Sequence, residues 1–150
     1  MKQFLTLRNV IKFSGVLLAF VGFFFMFGNQ LVWSNTEVKF NEALFGDNGA
    51  ILSFVGYILI ILGSLIPVVA VFAKGGEKLK KYMTLAAAVI LIVGAIFVFV
   101  EAAIYNANAS KYIATHYSLT AFPILAGVFA IVGGLAIAAS EFVADKPLVK

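Results

Sequence analysis

Four long apolar stretches constrain the fold of this 150-residue chain more than any other feature. They cover about residues 10–27, 48–73, 82–105 and 119–140, and the charged residues inside them are Lys12 and Glu101. A helix of about 20 apolar residues crosses the roughly 30 Å hydrocarbon core of a bilayer. The sequence therefore predicts an all-α membrane protein, a single domain of four transmembrane helices.

The composition supports this fold class. The chain is 63% hydrophobic and 12% charged, whereas soluble domains are about 25% charged. A soluble domain with this balance would expose a large apolar surface, so the lipid bilayer is the expected surroundings. The chain has no cysteine, which excludes disulfides, cysteine zinc sites and thiol redox chemistry. Because the lysines lie beside the apolar stretches, where topology requires them, no nucleic-acid partner is expected.

The positive charges predict an orientation. Nine of the 11 Lys and Arg residues lie in the amino-terminal segment up to Lys12, in the turn 74–81, or in the tail; Lys39 and Lys111 lie in the loops 28–47 and 106–118. Lys and Arg concentrate on the cytoplasmic side of a membrane. We therefore predict a cell-membrane protein with both termini and the turn 74–81 in the cytoplasm. Lysine outnumbers arginine ten to one, which indicates AT-rich coding and a bacterial source.

The first outer loop has strand-like sequence. Apolar and polar residues partly alternate over residues 31–40, and β-branched and aromatic residues are frequent there. This pattern predicts a short β-hairpin with its turn at residues 34–36. We expect Asp47 or Asn48 to cap the second long helix, and Ser118 or Thr120 to cap the fourth.

Small residues recur at intervals of seven in all four predicted helices. The positions are Gly15, Gly22, Gly49, Gly56, Gly63, Ala87, Gly94, Gly127 and Gly134. Membrane helices pack well where small residues let their backbones approach closely, and a seven-residue repeat gives a left-handed crossing. We therefore predict a left-handed four-helix bundle in which these residues face neighbouring helices. The alternative is that glycine is simply frequent in membrane helices.

Glu101 is the one acidic residue within a predicted span. Carboxyl groups inside membranes are candidate functional groups, and Glu101 continues the spacing of Ala87 and Gly94, so it should face the bundle. At about 1.5 Å per residue from Tyr82 it lies roughly 28 Å along the helix, near the outer edge of the hydrocarbon. This depth favours an interfacial structural role; the alternative is a proton or cation site.

The sequence contains no set of residues typical of an enzyme site. It has no nucleophile–base pair, no paired intramembrane carboxylates, no glycine-rich phosphate loop and no metal-ligand spacing. We expect no catalytic, cofactor-binding or metal-binding residues, and His116 is predicted to be a solvated loop residue. The basic run from Lys74 to Lys81 suits anionic lipid headgroups, although the topology signal explains the run equally well.

The layout resembles that of claudin-like and tetraspan membrane proteins: four spans, cytoplasmic termini, and a longer first outer loop with a β-hairpin. The claudin signature adds paired tryptophans and two cysteines, whereas this chain has Trp33 and no cysteine, so the resemblance concerns topology and implies no site residue. We expect a non-enzymatic accessory, organising or scaffolding subunit that packs with itself or with other membrane proteins. The alternative is a small transporter or channel that uses Glu101 in a proton or cation step.

Overall fold

The computed structural model describes residues 6–33, 35–72, 75–109 and 116–143. The long helices are α1 (Leu7–Phe24, continued by a 3-10 turn over Phe25–Phe27), α3 (Ile51–Phe72), α4 (Glu77–Phe99) and α6 (Ala121–Ser140). The shorter elements are α2 (Phe40–Phe45), α5 (Glu101–Ala109) and the strands β1 (Leu31–Trp33), β2 (Thr36–Val38) and β3 (Ser118–Leu119).

α4 and α5 form one continuous rod. Val100 separates them, but its N–H still donates to the Ile96 carbonyl (3.2 Å), and its carbonyl accepts from the Ile104 N–H (3.0 Å). With this rod counted once, the described part of the chain has four helices long and apolar enough to cross a membrane: Leu7–Phe27, Ile51–Phe72, Glu77–Ala109 and Ala121–Ser140. The predicted set of four long apolar helices is confirmed.

The long helices form a ring in the order α1, α3, α4, α6, and each packs against the next. Neighbours run antiparallel, since Gly56 of α3 meets Gly94 of α4, while Gly63 meets Ala87 and Leu91. The centre of the ring is apolar. It contains the fully buried side chains of Tyr57, Ile60, Leu91 and Ile137 together with small residues such as Ala19 and Ala130.

Local hydrogen bonds set the helix ends, and these ends differ from the limits of the apolar stretches. α1 begins at Leu7, not residue 10, because the Thr6 hydroxyl accepts a hydrogen bond from the Asn9 N–H (3.1 Å). α6 begins at Ala121, not residue 119, because Leu119 belongs to β3 and Thr120 caps the helix. α4 begins at Glu77, not residue 82, so its charged first turns extend past the apolar stretch.

The start of α3 corrects the predicted second span. The helix begins at Ile51 rather than residue 48. Residues 46–50 form a turn, in which the Ala50 N–H donates to the Ala43 carbonyl at 2.7 Å. Gly49 and the predicted caps Asp47 and Asn48 consequently lie in this turn, outside the helix.

A three-stranded sheet covers one end of the bundle, which we call the sheet end. β1 is the central strand and pairs antiparallel with β2 (Leu31 opposite Val38) and with β3 (Leu31 opposite Leu119). The predicted hairpin is therefore confirmed, except that Thr36, predicted to lie in its turn, begins β2. Asn35 lies in the turn, and Ser34 is outside the described residues. β3 and α2 were not predicted. The described chain begins and ends at the opposite end of the bundle, the terminal end, where α3 also ends and α4 begins.

Candidate functional site

The sheet end of the bundle buries a carboxyl group. Glu101, the first residue of α5, has no exposed surface. Neither of its carboxyl oxygens has a hydrogen-bond partner within the described part of the chain. Polar atoms buried to this degree in native proteins almost always have a partner, so Glu101 stands out among the buried side chains.

Tyr57 and Gln30 form a hydrogen-bonded pair near this carboxyl group. Tyr57 of α3 lies within electrostatic range of Glu101, and its hydroxyl donates to Gln30 Oε1 at 2.8 Å. Gln30 precedes β1, and both side chains are fully buried. The three residues come from three separate segments and are all buried, although no hydrogen bond joins Glu101 to the other two; we call them the sheet-end cluster.

Gln30 connects the end of α1 to the sheet. Its side-chain nitrogen lies within hydrogen-bonding distance of three carbonyl oxygens, those of Phe25 (3.1 Å), Met26 (2.9 Å) and Gly28 (3.1 Å). Its backbone N–H donates to Val38, and its carbonyl accepts from Thr120. These hydrogen bonds fix the side-chain amide of Gln30 in position. They also hold the Tyr57 hydroxyl, which donates to the side-chain oxygen of Gln30.

The chemistry open to the cluster depends on Glu101. An ionised carboxylate buried without a partner costs several kcal/mol, and a neutral carboxylic acid still has a proton to donate. The ionised form can accept a proton, a cation or a hydrogen bond, and the neutral form can donate its proton or accept a hydrogen bond. Lys39 does not supply this partner, because the one ion pair among the described residues joins Lys12 to Glu141 at the terminal end. Lys111 lies outside the described residues.

The small residues predicted from the seven-residue spacing lie, with one exception, at helix contacts. A β-carbon added to Gly56 would lie 2.7 Å from the Gly94 carbonyl oxygen, and one added to Gly94 would lie 2.7 Å from the Gly56 carbonyl oxygen. The remaining positions at helix contacts are Gly15 and Gly22 (facing α6), Gly63 and Ala87 (between α3 and α4), and Gly127 and Gly134 (facing α4). The exception is Gly49, which packs against the backbone of Leu44 in the turn before α3.

Gly133 is a contact residue that the seven-residue spacing missed. A β-carbon on Gly133 would lie 2.5 Å from the Gly15 carbonyl oxygen, and one on Gly15 would lie equally close to the Gly133 carbonyl oxygen. The neighbouring Gly134 faces Ala88 and Leu91 of α4. Two adjacent glycines thus contact two different neighbours of α6. In the sequence, the Gly-Gly pair itself could have indicated that α6 packs against two helices.

The other buried hydroxyl groups within the bundle bond to backbone carbonyls. Ser53 donates across to Phe97 of α4 (2.8 Å), whereas Ser64 and Thr84 donate to carbonyls of their own helices. Among the described residues no group of three His, Cys, Asp or Glu side chains could hold a metal ion. His116 packs edge-on against Trp33, with ring centroids 6.1 Å apart.

Comparison with known proteins does not extend the assignment beyond topology. No protein-family model, no curated protein and no solved structure matches this chain. The four long apolar helices fit a tetraspan layout, and no family match supports the closer resemblance to claudin-like proteins.

Proposed function

We propose that this chain is a non-enzymatic four-span protein of the cell membrane that acts as an accessory, organising or scaffolding subunit. It does so by packing its helices against a second copy or against other membrane proteins. The observation that carries the proposal is a ring of four long apolar helices that contact one another through small residues and that expose many large apolar side chains on the outside. The bundle is left-handed in this proposal, as the seven-residue spacing predicts.

The outward-facing residues support placement in lipid. Large apolar side chains are half exposed or more on all four long helices, for example Leu17, Leu62, Val89 and Leu135. Continuous apolar surface of this extent would promote aggregation in water, whereas lipid solvates it. The lysine distribution adds the orientation: the terminal end lies in the bacterial cytoplasm, and the sheet end lies outside.

The hydrogen bonds of the polar groups inside the bundle support a packing role rather than a transport role. A transport route needs polar groups arranged across the membrane, usually near its midplane. Ser64 and Thr84 hydrogen-bond within their own helices, and Ser53 joins α3 to α4 through a backbone carbonyl. Below the sheet-end cluster, therefore, the described polar groups do not form a chain through the bundle.

An aromatic ridge on α1 offers a surface for a partner helix. Phe20, Phe24 and Phe27 are exposed, and Phe27 continues the ridge to Phe40 of α2 with ring centroids 5.3 Å apart. Aromatic side chains dominate the energetics of protein interfaces. We expect mild detergent extraction to yield a defined oligomer or a co-purifying membrane protein, detected by mass spectrometry.

The matched variants are Phe24→Ala on the ridge and Leu62→Ala on the exposed face of α3. Phe24→Ala should weaken the association, and Leu62→Ala should leave it intact. A monodisperse monomer without any co-purifying protein would contradict the accessory role, as would an association that Phe24→Ala does not weaken.

The second candidate is a small transporter or channel that uses Glu101 in a proton or cation step. The buried carboxyl group without a partner among the described residues is the observation that favours it. It predicts flux in proteoliposomes that Glu101→Gln abolishes. Glu37→Gln is the control, since Glu37 is an exposed carboxylate at the same end of the molecule. Equal flux in both variants would remove this candidate.

A further inference from the structure

A basic cleft opens at the terminal end of the bundle. It has a volume of about 480 Å³ and lies among the first turns of α1 and α4 and the last turns of α3. Four of its lining residues are cationic: Arg8, Lys12, Lys80 and Lys81. Two are acidic, Glu77 and Glu141, so the residues that line the cleft have a net charge of +2.

The acidic residues leave cationic groups available in the cleft. Glu141 pairs with Lys12 at 3.2 Å, and both side chains are largely buried. Arg8 uses its Nε to donate to the Val143 carbonyl (3.1 Å), and its guanidinium carries further N–H groups suited to a phosphate. Lys80 is half-buried in the wall of the cleft.

An apolar groove adjoins this cleft. It is lined by Phe13, Val68, Val71 and Phe72, and its volume is about 440 Å³. Val71 lines both the cleft and the groove, so the two are adjacent. Val68 lies one helical turn farther from the terminal end than Phe72, so the groove extends from the cleft toward the middle of the bundle.

We propose that the cleft and groove together bind one anionic phospholipid, with its phosphate beside Arg8 and Lys80 and an acyl chain along Val68 and Phe72. The order of the two parts matches a lipid, because the charged part lies at the end of the bundle and the apolar part lies deeper. The cytoplasmic side is also where basic clusters meet anionic lipids. A free phosphate would use the cleft alone and would leave the groove without a role. This inference rests on the proposed membrane placement, and it is independent of the accessory role.

The test compares lipids on the protein purified in a nonionic detergent. Phosphatidylglycerol and phosphatidylcholine with identical acyl chains are titrated, and bound lipid is measured by native mass spectrometry. We expect phosphatidylglycerol to bind preferentially. The double variant Arg8→Gln/Lys80→Gln should weaken this binding at least about tenfold, since each cation near the lipid surface contributes about 1 kcal/mol. Lys78→Gln is the matched control, because Lys78 is exposed and lies over the Tyr82 ring instead of lining the cleft.

The groove and the source of the phosphate are tested separately. Val68→Trp fills the groove and should weaken phosphatidylglycerol binding, while inorganic phosphate alone should not displace the lipid at equal concentration. If the unmodified protein binds phosphatidylglycerol and phosphatidylcholine equally well, that result alone overturns the proposal. Full displacement by inorganic phosphate, or undiminished binding in the double variant, would overturn it too. A chain that stays soluble without detergent would instead contradict the membrane placement.

Discussion

Two buried polar residues at the sheet end differ in how their hydrogen-bonding groups are satisfied. The Tyr57 hydroxyl donates to Gln30, whereas the Glu101 carboxyl oxygens have no partner in the described ranges. Removing one member of a buried hydrogen bond leaves the other unsatisfied, which costs about 1–3 kcal/mol. Replacing a polar group that had no partner by an apolar one of similar shape removes a cost instead. Apolar substitutions at Tyr57 and at Glu101 should therefore change the free energy of unfolding in opposite directions.

We expect Tyr57→Phe to lower the free energy of unfolding by about 1–3 kcal/mol, because Gln30 Oε1 loses its donor. Glu101→Met, which keeps the length of the side chain, should leave that free energy unchanged or raise it. Thermal unfolding in detergent micelles measures both. If Glu101→Met destabilises the protein more than Tyr57→Phe does, the carboxyl group has a stabilising partner in the native protein.

At the scale of the helices, two adjacent glycines of α6 contact two different neighbouring helices. A β-carbon on Gly133 would lie 2.5 Å from a backbone oxygen of α1, whereas one on Gly134 would lie 3.2 Å from its nearest neighbour, a backbone oxygen of α4. Backbone atoms of a packed helix cannot move aside as the end of a flexible side chain can. The contact between α1 and α6 should consequently tolerate a methyl group less than the contact between α4 and α6.

Gly133→Ala should lower the free energy of unfolding by about 1–3 kcal/mol through overpacking. Gly134→Ala should change it by less than about 1 kcal/mol, because alanine's better helix propensity offsets the tighter contact. Gly76→Ala is a control for glycine replacement in general, since nothing lies within 4 Å of a β-carbon at that position. Comparison of melting temperatures checks the order, and equal losses at positions 133 and 134 would contradict it.

The sequence predicts the helices better than it predicts their ends or the polar cluster. Hydrophobicity identifies the spans, because lipid-facing and core-facing residues are both apolar. It does not locate the ends, which depend on caps such as Thr6 and on the pairing of Leu119 in a strand of two residues. The role of Gln30 is also hidden, since its partners are backbone carbonyls and a tyrosine 27 residues away. Gly133 was missed because a single seven-residue period follows one face of a helix that contacts two neighbours.

At the scale of the whole molecule, the two ends of the bundle have different chemistry. A sheet closes one end over the Glu101–Tyr57–Gln30 cluster, and a cleft of net positive charge opens at the other. Between them the outward surface is apolar on every long helix. This arrangement suits a protein that spans a bilayer with its basic end in the cytoplasm, and both proposals depend on that placement.

Labelling of single cysteines in intact cells tests this placement most directly, because the chain has no cysteine of its own. The three variants are Lys39→Cys at the sheet end, Lys78→Cys at the terminal end, and Leu62→Cys midway along α3, where the side chain is 50% exposed. A membrane-impermeant thiol reagent should label position 39 in intact cells, position 78 only after permeabilisation, and position 62 in neither case. Labelling of position 78 in intact cells would contradict the orientation, and labelling of position 62 by the aqueous reagent would contradict burial in lipid.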